Sequence, residues 1–335
     1  MTSSLGSDLH LFRCPRCGAS GLIFRGAALA CAACSQTYPV EDGLPLLYWP
    51  NDWNPEQPDV TDAVKAFYEE TPFPNYDDFD SIGSLAEKAR QGIFARLLDE
   101  QVPPSARILE VGCGTGQLSN FLSITNRTVF GADLCLNSLR LGRDFARRHS
   151  LRNVQFLQMN LFRPAFVDRS FDLVVSNGVL HHTSNPFLAY QTIAQLVKPG
   201  GFLLVGLYHR YGRLITDARR LWFRISGDRF LSLDPNLRDA RKSAAKKRAW
   251  LADQYKHPHE SKHTIGQMLE WIEKIGFRFV TSIPRSKPFA PFAPGDSLFD
   301  PEAPGNALER LMVETGAILR GSREGGFFIT IAQRR

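Results

Sequence analysis

Long hydrophobic runs are absent from this sequence of 335 residues. No stretch approaches the roughly 18 consecutive apolar residues of a membrane-spanning helix, so no such helix is expected. The first residues, Met1–Asp8, lack the apolar core of a secretion signal. We therefore expect a cytoplasmic protein, whose six cysteines serve as metal ligands or free thiols rather than as disulfides. The length predicts about two domains of ordinary globular composition.

Net positive charge is absent outside one segment of the chain. Residues 208–262 hold 14 Lys or Arg against six Asp or Glu, a balance of +8, whereas the whole chain has a net charge of only +6. The basic character therefore belongs to this segment, and an anionic partner, if there is one, is expected to contact it.

The stretch Arg107–Gly116 has the pattern of a ligand cradle. An apolar strand is followed by glycines at 112, 114 and 116 and then by helical spacing. Glycines in such a turn adopt positive φ angles and let a ligand approach the backbone. The dinucleotide-binding pattern G-x-G-x-x-G is not met, because position 117 is Gln rather than Gly.

Four markers in order resemble the class I S-adenosylmethionine-dependent methyltransferases. They are the glycine stretch with Glu110 before it, a second strand that ends at Asp133, a fourth strand at Phe171–Asn177, and the Pro-Gly-Gly entry to a fifth strand within Val197–Val205. The resemblance implies an α/β, Rossmann-like sheet of seven strands with the last strand antiparallel. It also implies that S-adenosylmethionine is the cofactor, with Asp133 accepting hydrogen bonds from the ribose hydroxyls.

The resemblance further implies which residues form the site. The cofactor residues are Tyr68, Glu110, Gly112, Cys113, Gly114, Gly116, Asp133, Leu134, Asn160, Leu161 and Asn177. The substrate residues are Tyr76, His182, Tyr208 and His257. His181 is the candidate general base, since a histidine titrates near neutral pH. The alternative for His181 and His182 is a structural role, in which they cap a helix or hydrogen-bond a carbonyl group.

Two C-x-x-C pairs near the start of the chain predict a metal site. Cys14 and Cys17 are separated from Cys31 and Cys34 by 13 residues, and four thiolates suit a closed structural zinc site. The segment resembles the small zinc ribbons related to the activator subunit of tRNA and protein methyltransferases. A redox role for the four cysteines is the alternative.

We expect the chain to divide into three parts. Residues 1–50 are predicted to form the zinc ribbon, 51–105 a linker and N-terminal lid helices, and 106–335 the methyltransferase domain with a basic helical insert at 208–262. The aromatic segment Phe67–Tyr76 resembles the lid that many small-molecule methyltransferases fold over the cofactor. Its alternative role is to pack the ribbon against the main domain.

Within the insert, Arg213–Ile225 has helical spacing with apolar residues on one arc and arginines on the other side. Such a helix caps the active site, lies on an anionic bilayer or meets a phosphate backbone. Farther on, His257, His259, Glu260 and His263 fall within seven residues. This group indicates either substrate contact or a second metal.

The predicted function is methyl transfer to a small-molecule or lipid-like acceptor, with an anionic membrane surface as a further partner. RNA methylation is the alternative, suggested by the zinc ribbon and the basic insert. It is the less favoured one, because no Asn-Pro-Pro-Tyr-type tetrapeptide follows the fourth strand, where Ser176–Val179 stands. A non-catalytic cofactor-binding protein is the third hypothesis.

Overall fold

The computed structural model describes residues 6–53, 59–72, 76, 81–240, 242–293, 295–324 and 326–335. Among these residues, no helix combines the length and the apolarity needed to cross a bilayer. Parts of the predicted linker and lid, at 54–58, 73–75 and 77–80, lie outside the described residues.

Seven strands form the central sheet, and their apolar side chains are almost entirely buried. They are β5 (Arg107–Val111), β6 (Thr128–Asp133), β7 (Val154–Met159), β8 (Phe171–Asn177), β9 (Val197–Tyr208), β10 (Phe277–Ile283) and β11 (Phe327–Arg334). Their spatial order is β7-β6-β5-β8-β9-β11-β10. Strands β5 to β9 run parallel, whereas the last strand, β11, is antiparallel to both of its neighbours. The predicted Rossmann-like α/β fold with an antiparallel last strand is confirmed.

Helices connect the strands on both faces of the sheet. Those of the main domain are Thr61–Glu70, Ile82–Gln91, Ile93–Gln101, Gln117–Ser123, Leu136–Arg148, Pro186–Ala194, Ile265–Lys274 and Ala307–Glu324. Those of the insert are Leu214–Ser226, Pro235–Arg238 and Ala244–Tyr255. The crossover from each parallel strand to the next places loops at the carboxyl edge of the sheet, where ligands bind in this fold class.

The sheet is wider than predicted. Four short strands precede it, β1 (Leu22–Arg25), β2 (Ala28–Cys31), β3 (Thr37–Glu41) and β4 (Leu44–Leu47). They form an antiparallel ribbon, and β4 then pairs in parallel with β7 through Leu46 with Gln158 and Leu47 with Met159. The result is one sheet of 11 strands rather than seven. Pairing of β4 protects the outer edge of β7, which would otherwise expose unpaired backbone groups.

The ribbon also shares its hydrophobic core with the main domain. The ring centroid of Phe12 lies 4.9 Å from that of Phe166 and 6.1 Å from that of Phe130, and all three rings are buried. Arg13 Nη1 donates to Asp168 Oδ1 at 2.8 Å beside this contact. The ribbon is therefore held to the sheet by apolar packing as well as by strand pairing.

Candidate active site

The glycine loop between β5 and the helix Gln117–Ser123 adopts the backbone that its sequence requires. Gly112, Gly114 and Gly116 have φ angles of 73°, 53° and 70°. A Cβ atom at Gly112 would lie 2.3 Å from Val179 Cγ2, and one at Gly116 would lie 2.3 Å from Phe156 Cε1. Both positions therefore exclude larger side chains for steric as well as conformational reasons.

Asp133, the last residue of β6, is held against this loop. Its Oδ2 accepts from the Gly114 backbone N–H at 2.7 Å, and its Oδ1 accepts from the Cys135 N–H at 2.8 Å. Burial raises the pKa of this carboxyl above its ordinary value. Glu110 is buried beside it and accepts a hydrogen bond from Ser119 Oγ, and burial raises its pKa to about 7.

A cavity of about 1310 Å³ opens at the carboxyl edge of the sheet, next to this loop. Most of the predicted site residues lie in its wall. They are Tyr68, Glu110, Gly112, Cys113, Gly114, Asp133, Leu134, Asn160, Leu161, Asn177, His182 and Tyr208. The topology thus brings together residues from widely separated parts of the chain, although their roles stay predictions.

Four predicted site residues do not line the cavity: Gly116, Tyr76, His181 and His257. Gly116 instead packs closely against the ring of Phe156. Tyr76 lies behind the glycine loop, where its ring stacks on Phe145 with centroids 4.5 Å apart and its hydroxyl donates to the Thr115 carbonyl at 2.8 Å. In the described structure Tyr76 supports the loop, and its predicted contact with a substrate stays a prediction.

His181 is fully buried behind the wall, and neither ring nitrogen has a hydrogen-bond partner among the described residues. Its ring lies against Tyr208, with centroids 4.0 Å apart, and burial holds its pKa well below the ordinary value. The structure therefore gives it no direct path to a substrate proton. His182, the next residue, is the histidine that reaches the cavity.

His182 is fixed in orientation by two contacts. Its Nδ1 lies 2.9 Å from the His259 carbonyl oxygen, which places the proton on Nδ1 and leaves Nε2 as an acceptor. Its ring stacks on that of His257, with centroids 3.7 Å apart. Burial lowers the pKa of His182 to about 4, so the ring is neutral at physiological pH.

A buried polar network from the insert forms one wall of the cavity, and sequence reasoning missed most of it. Tyr68 Oη donates to Asp253 Oδ1 at 3.0 Å, while Gln254 Nε2 donates to Asp253 Oδ2 at 2.8 Å and to Tyr208 Oη at 2.9 Å. Burial raises the pKa of Asp253. Asp253 is therefore an acidic residue of the cavity wall, although the insert to which it belongs has a net positive charge.

The same network is anchored by Arg213, whose side chain is completely buried. Its guanidinium donates twice to Glu260, at 3.2 and 2.9 Å, and lies 3.9 Å from the centroid of the Tyr208 ring. Arg220 donates to Glu260 Oε2 at 2.7 Å from the other side. These two arginines hold the pKa of Glu260 below its ordinary value even though burial opposes this.

The helix Thr61–Glu70 closes over the site, and Glu69 holds it there. The two oxygens of Glu69 accept from the backbone N–H groups of Leu136 and Asn137, at 2.8 and 3.1 Å. These groups are at the start of the helix Leu136–Arg148, whose positive dipole end favours a carboxylate. Glu69 lies one residue from Tyr68 and thereby fixes its position in the wall.

The remainder of the cavity wall is predominantly apolar. It includes Val60, Val64, Leu85, Ile93, Phe94, Trp250, Ile283, Phe289, Met312, Val313, Ala317, Phe327 and Ile329. These residues come from the helices and their ends, from β10 and the loop after it, and from β11. A ligand there would be surrounded by hydrocarbon surface.

The four cysteines of the ribbon converge on one point. Their sulfur atoms all lie within 4.8 Å of one another, with 3.7 Å between Cys14 and Cys34 and 3.7 Å between Cys17 and Cys31. Tetrahedral thiolates bound to zinc at about 2.3 Å would be about 3.8 Å apart, so the spacing fits that ion.

Among the described residues, this is the only group placed to hold a metal ion. The alternative of a second metal at His257, His259, Glu260 and His263 therefore finds no support in the described part of the chain. Glu260 is occupied by the two arginines, and the ring nitrogens of His263 lie 2.9 Å from Ser261 Oγ and from Gln267 Oε1.

Comparison with known proteins places residues 109–205 in the family described as "Methyltransferase domain". An uncharacterised protein of Synechococcus is 27% identical over 220 residues, which are 58% of this chain and 53% of that protein. A ubiquinone biosynthesis O-methyltransferase of Paracidovorax citrulli is 32% identical over 113 residues, which are 33% of this chain and 48% of that protein. The chain spans about half the length of these two curated relatives.

Among solved structures, the chain matches magnesium protoporphyrin IX methyltransferase from Synechocystis PCC 6803 with bound S-adenosylhomocysteine. The identity is 14% and the TM-score 0.49, and the match covers 83% of this chain and 100% of that one.

Proposed function

We propose that the chain transfers a methyl group from S-adenosylmethionine to a small apolar or lipid-like acceptor, since residues 109–205 match the family described as "Methyltransferase domain". The observation that carries this proposal is one shared cavity. The glycine loop and Asp133 form one side of it, and hydrocarbon side chains form the other. Its volume of about 1310 Å³ exceeds the roughly 300–1,000 Å³ of a pocket for one drug-sized ligand, so cofactor and acceptor both have room.

The residues of the loop fit the cofactor. Asp133 offers a buried carboxylate for the ribose hydroxyls, and its backbone partners leave lone pairs on both oxygens. Gly112 and Gly114 have positive φ angles that turn the loop along the cavity. Leu134 and Leu161 add apolar surface for a purine. S-adenosylmethionine, when bound, supplies a methyl group that its sulfonium has already activated.

The protein's part in the reaction is to align the acceptor and to accept its proton. The neutral His182 has Nε2 free to accept a proton, and Asp253 and the Tyr68 hydroxyl lie in the same wall. A hydroxyl acceptor near these groups would be oriented by hydrogen bonds and deprotonated as the methyl is transferred. The helix Thr61–Glu70 excludes water from this end of the cavity.

A lipid-like acceptor is favoured by the apolar part of the cavity wall. Phe94, Phe289, Met312 and Phe327 contribute hydrocarbon surface to this wall, and such surface binds isoprenoid or acyl chains by the hydrophobic effect. The name of the Paracidovorax citrulli relative, a ubiquinone biosynthesis enzyme, supports the same substrate class.

An RNA acceptor is the second candidate, supported by the four-cysteine ribbon and the charge of the insert. It is less favoured because two of the insert's arginines, Arg213 and Arg220, are turned inward and paired with Glu260. A non-catalytic cofactor-binding protein is less favoured because the cavity extends well beyond the cofactor end.

We also propose that Cys14, Cys17, Cys31 and Cys34 hold one structural zinc ion. Four thiolates leave no open coordination position, so the site would stabilise the ribbon rather than take part in the chemistry. The ribbon in turn supports the adenine end of the site, since Asn160 Nδ2 donates to the Trp49 carbonyl at 3.0 Å.

The test is methyl transfer from radiolabelled S-adenosylmethionine to fractions of a cell extract, with and without ribonuclease. We expect the label in the lipid fraction, unchanged by ribonuclease. Asp133→Asn is expected to weaken cofactor binding roughly 10- to 150-fold, as the loss of a charge-assisted bond of about 1.5–3 kcal/mol implies. Asp144→Asn, at a half-exposed carboxyl paired with Arg143, is the matched control. Label that is confined to RNA, or no cofactor binding by calorimetry, would contradict the proposal.

A further inference from the structure

The helix Leu214–Ser226 of the insert presents its apolar residues to the solvent. Leu214, Leu221, Trp222 and Ile225 are 47%, 59%, 49% and 70% exposed. At 100° per residue, they and the exposed Ala218 fall within an arc of about 100°. An amphipathic helix in a globular protein normally buries this arc, so its exposure requires an explanation.

The apolar surface continues past the end of the helix. Phe230 and Leu233 are 48% and 53% exposed, and the Phe230 ring lies 6.0 Å from that of Trp222. We call these seven residues the outer face: Leu214, Ala218, Leu221, Trp222, Ile225, Phe230 and Leu233. Large aromatic and branched side chains of this kind are typical of helices that lie in a membrane interface.

The orientation of the helix is fixed from the inside. Phe223, on the opposite side, is 2% exposed, and its ring lies 4.9 Å from that of Tyr255. Arg213 and Arg220 pair with Glu260 from the inner and lateral positions. Turning the outer face inward would break these buried ion pairs, so the exposed arc is a stable feature of the fold.

Positive charge flanks the outer face. Arg224 and Arg229 are exposed, and neither pairs with a carboxylate in the part of the chain that the structure describes. Arg213 and Arg220 are paired with Glu260. The exposed Arg224 and Arg229 stand beside the apolar arc. Apolar side chains edged by arginine are complementary to an anionic lipid surface, where each basic residue near the headgroups adds attraction.

The outer face is also connected to the cavity. The helix Ala307–Glu324 packs against the helix Leu214–Ser226. It exposes Leu308, Leu311 and Met312, by 67%, 47% and 46%. Met312 lines the cavity as well, and so does Phe289, which is 93% exposed. Exposed apolar side chains therefore lie both on this neighbouring helix and in the cavity wall.

We infer that the outer face binds an anionic bilayer surface and thereby places the cavity mouth where a lipid-like acceptor can enter from the membrane. The identity of the acceptor rests on the proposed function. The binding of the outer face to a bilayer does not depend on it. The helix lies in the interface, with Leu221, Trp222 and Ile225 among the acyl chains and Arg224 and Arg229 at the headgroups.

The test measures co-sedimentation of the full-length protein with vesicles of phosphatidylcholine and phosphatidylglycerol in equal parts. The double variant Leu221→Ala with Trp222→Ala should bind at least roughly tenfold more weakly, because two half-exposed side chains lose their burial. The double variant Arg224→Glu with Arg229→Glu should bind at least roughly tenfold more weakly at low salt, and pure phosphatidylcholine should bind poorly.

Matched controls lie on the helix Leu136–Arg148. Leu141, which is 41% exposed, is changed to Ala, and the exposed Arg148 is changed to Glu. These variants should bind vesicles like the unchanged protein. All of the substituted residues are exposed, and calorimetric binding of S-adenosylmethionine by every variant confirms that the fold is intact.

Three results would overturn the inference: no vesicle binding by the unchanged protein, equal losses in the control variants, or vesicles that fail to compete with a bound RNA. Concentration-dependent dimers that the outer-face variant abolishes, without vesicle binding, would instead assign the face to a second copy of this chain. Vesicle binding without methyl transfer to lipid would leave the docking surface in place and overturn the proposed function.

Discussion

Replacing Gly112 by alanine should destabilise the protein through two separate effects. The backbone at Gly112 has a φ angle of 73°, which costs an L-residue about 1–2 kcal/mol. The added methyl would also lie 2.3 Å from Val179 Cγ2 and 2.6 Å from Cγ1. Overpacking of this kind costs about 1–3 kcal/mol, so the expected total is about 2–5 kcal/mol.

A matched glycine separates the two effects. Gly200, near the start of β9, has a φ angle of 76°. No other atom lies within 4 Å of the position that a Cβ would take there. Gly200→Ala should therefore cost only the conformational part, about 1–2 kcal/mol. The difference between the two variants measures the clash at Gly112.

The clash itself can be removed by a second substitution. Val179→Ala deletes both methyl groups that lie closest to the new Cβ, although Val179 Cβ remains at 2.9 Å. In a double-mutant cycle, the free energies of unfolding should therefore be non-additive, with the double variant about 1–3 kcal/mol more stable than the sum of the single changes.

Urea unfolding of the four variants and the unchanged protein provides these free energies. The reasoning would be refuted if Gly112→Ala cost no more than Gly200→Ala, or if the cycle showed no coupling. Either result would mean that the glycine loop lies farther from Val179 than the structure places it.

Two further predictions concern protonation and metal. In the ligand-free protein, burial holds the pKa of Glu110 at about 7 against an ordinary 4.5. Between about pH 4.5 and 7, the folded state therefore retains a proton on Glu110 that the unfolded state has lost. The free energy of unfolding falls as the pH rises through this range. Glu110→Gln should remove that dependence and be more stable at about pH 8 by up to about 3 kcal/mol, whereas parallel pH–stability curves for the two proteins would contradict the assignment. Zinc should be present at about one equivalent by elemental analysis and be lost in Cys17→Ser, with a lower unfolding midpoint. Cys113→Ala should keep the metal, and full zinc retention by Cys17→Ser would remove Cys17 from the site.

The local parts of the fold are predictable because local rules determine them. Apolar runs bounded by glycine and aspartate place β5 before Gly112, the end of β6 at Asp133 and β8 at Phe171–Asn177, as observed. Pairing of β4 with β7 could not be foreseen, since it joins residues more than a hundred positions apart and leaves no periodic pattern in either strand. The division into domains and the cytoplasmic location stay predictions.

The parts of the candidate site that depend on backbone geometry could be predicted from a sequence motif. The parts that depend on the direction of a side chain could not. The glycine loop and Asp133 follow from spacing. Which of two adjacent histidines faces the cavity depends on the short 3-10 turn Leu180–His182, in which neighbouring side chains point in different directions. Asp253 was not predicted, because a single acidic residue in a basic segment is normally interpreted as surface charge. Its buried partners, Tyr68 and Gln254, are known only from the structure.

The insert helix shows most clearly what a periodic pattern leaves undecided. A stripe of apolar residues predicts an amphipathic helix, and the usual inference is that the stripe is buried. Here Arg213 occupies the buried position instead, because Glu260 supplies two charge-assisted hydrogen bonds and Tyr208 a ring face that offset the cost of removing the guanidinium from water. Glu260 lies 47 residues farther along the chain, so no helical pattern within the segment could reveal it. Once that ion pair fixes the arginine side inward, the apolar arc must face outward, and the exposed surface is a consequence of the buried charge.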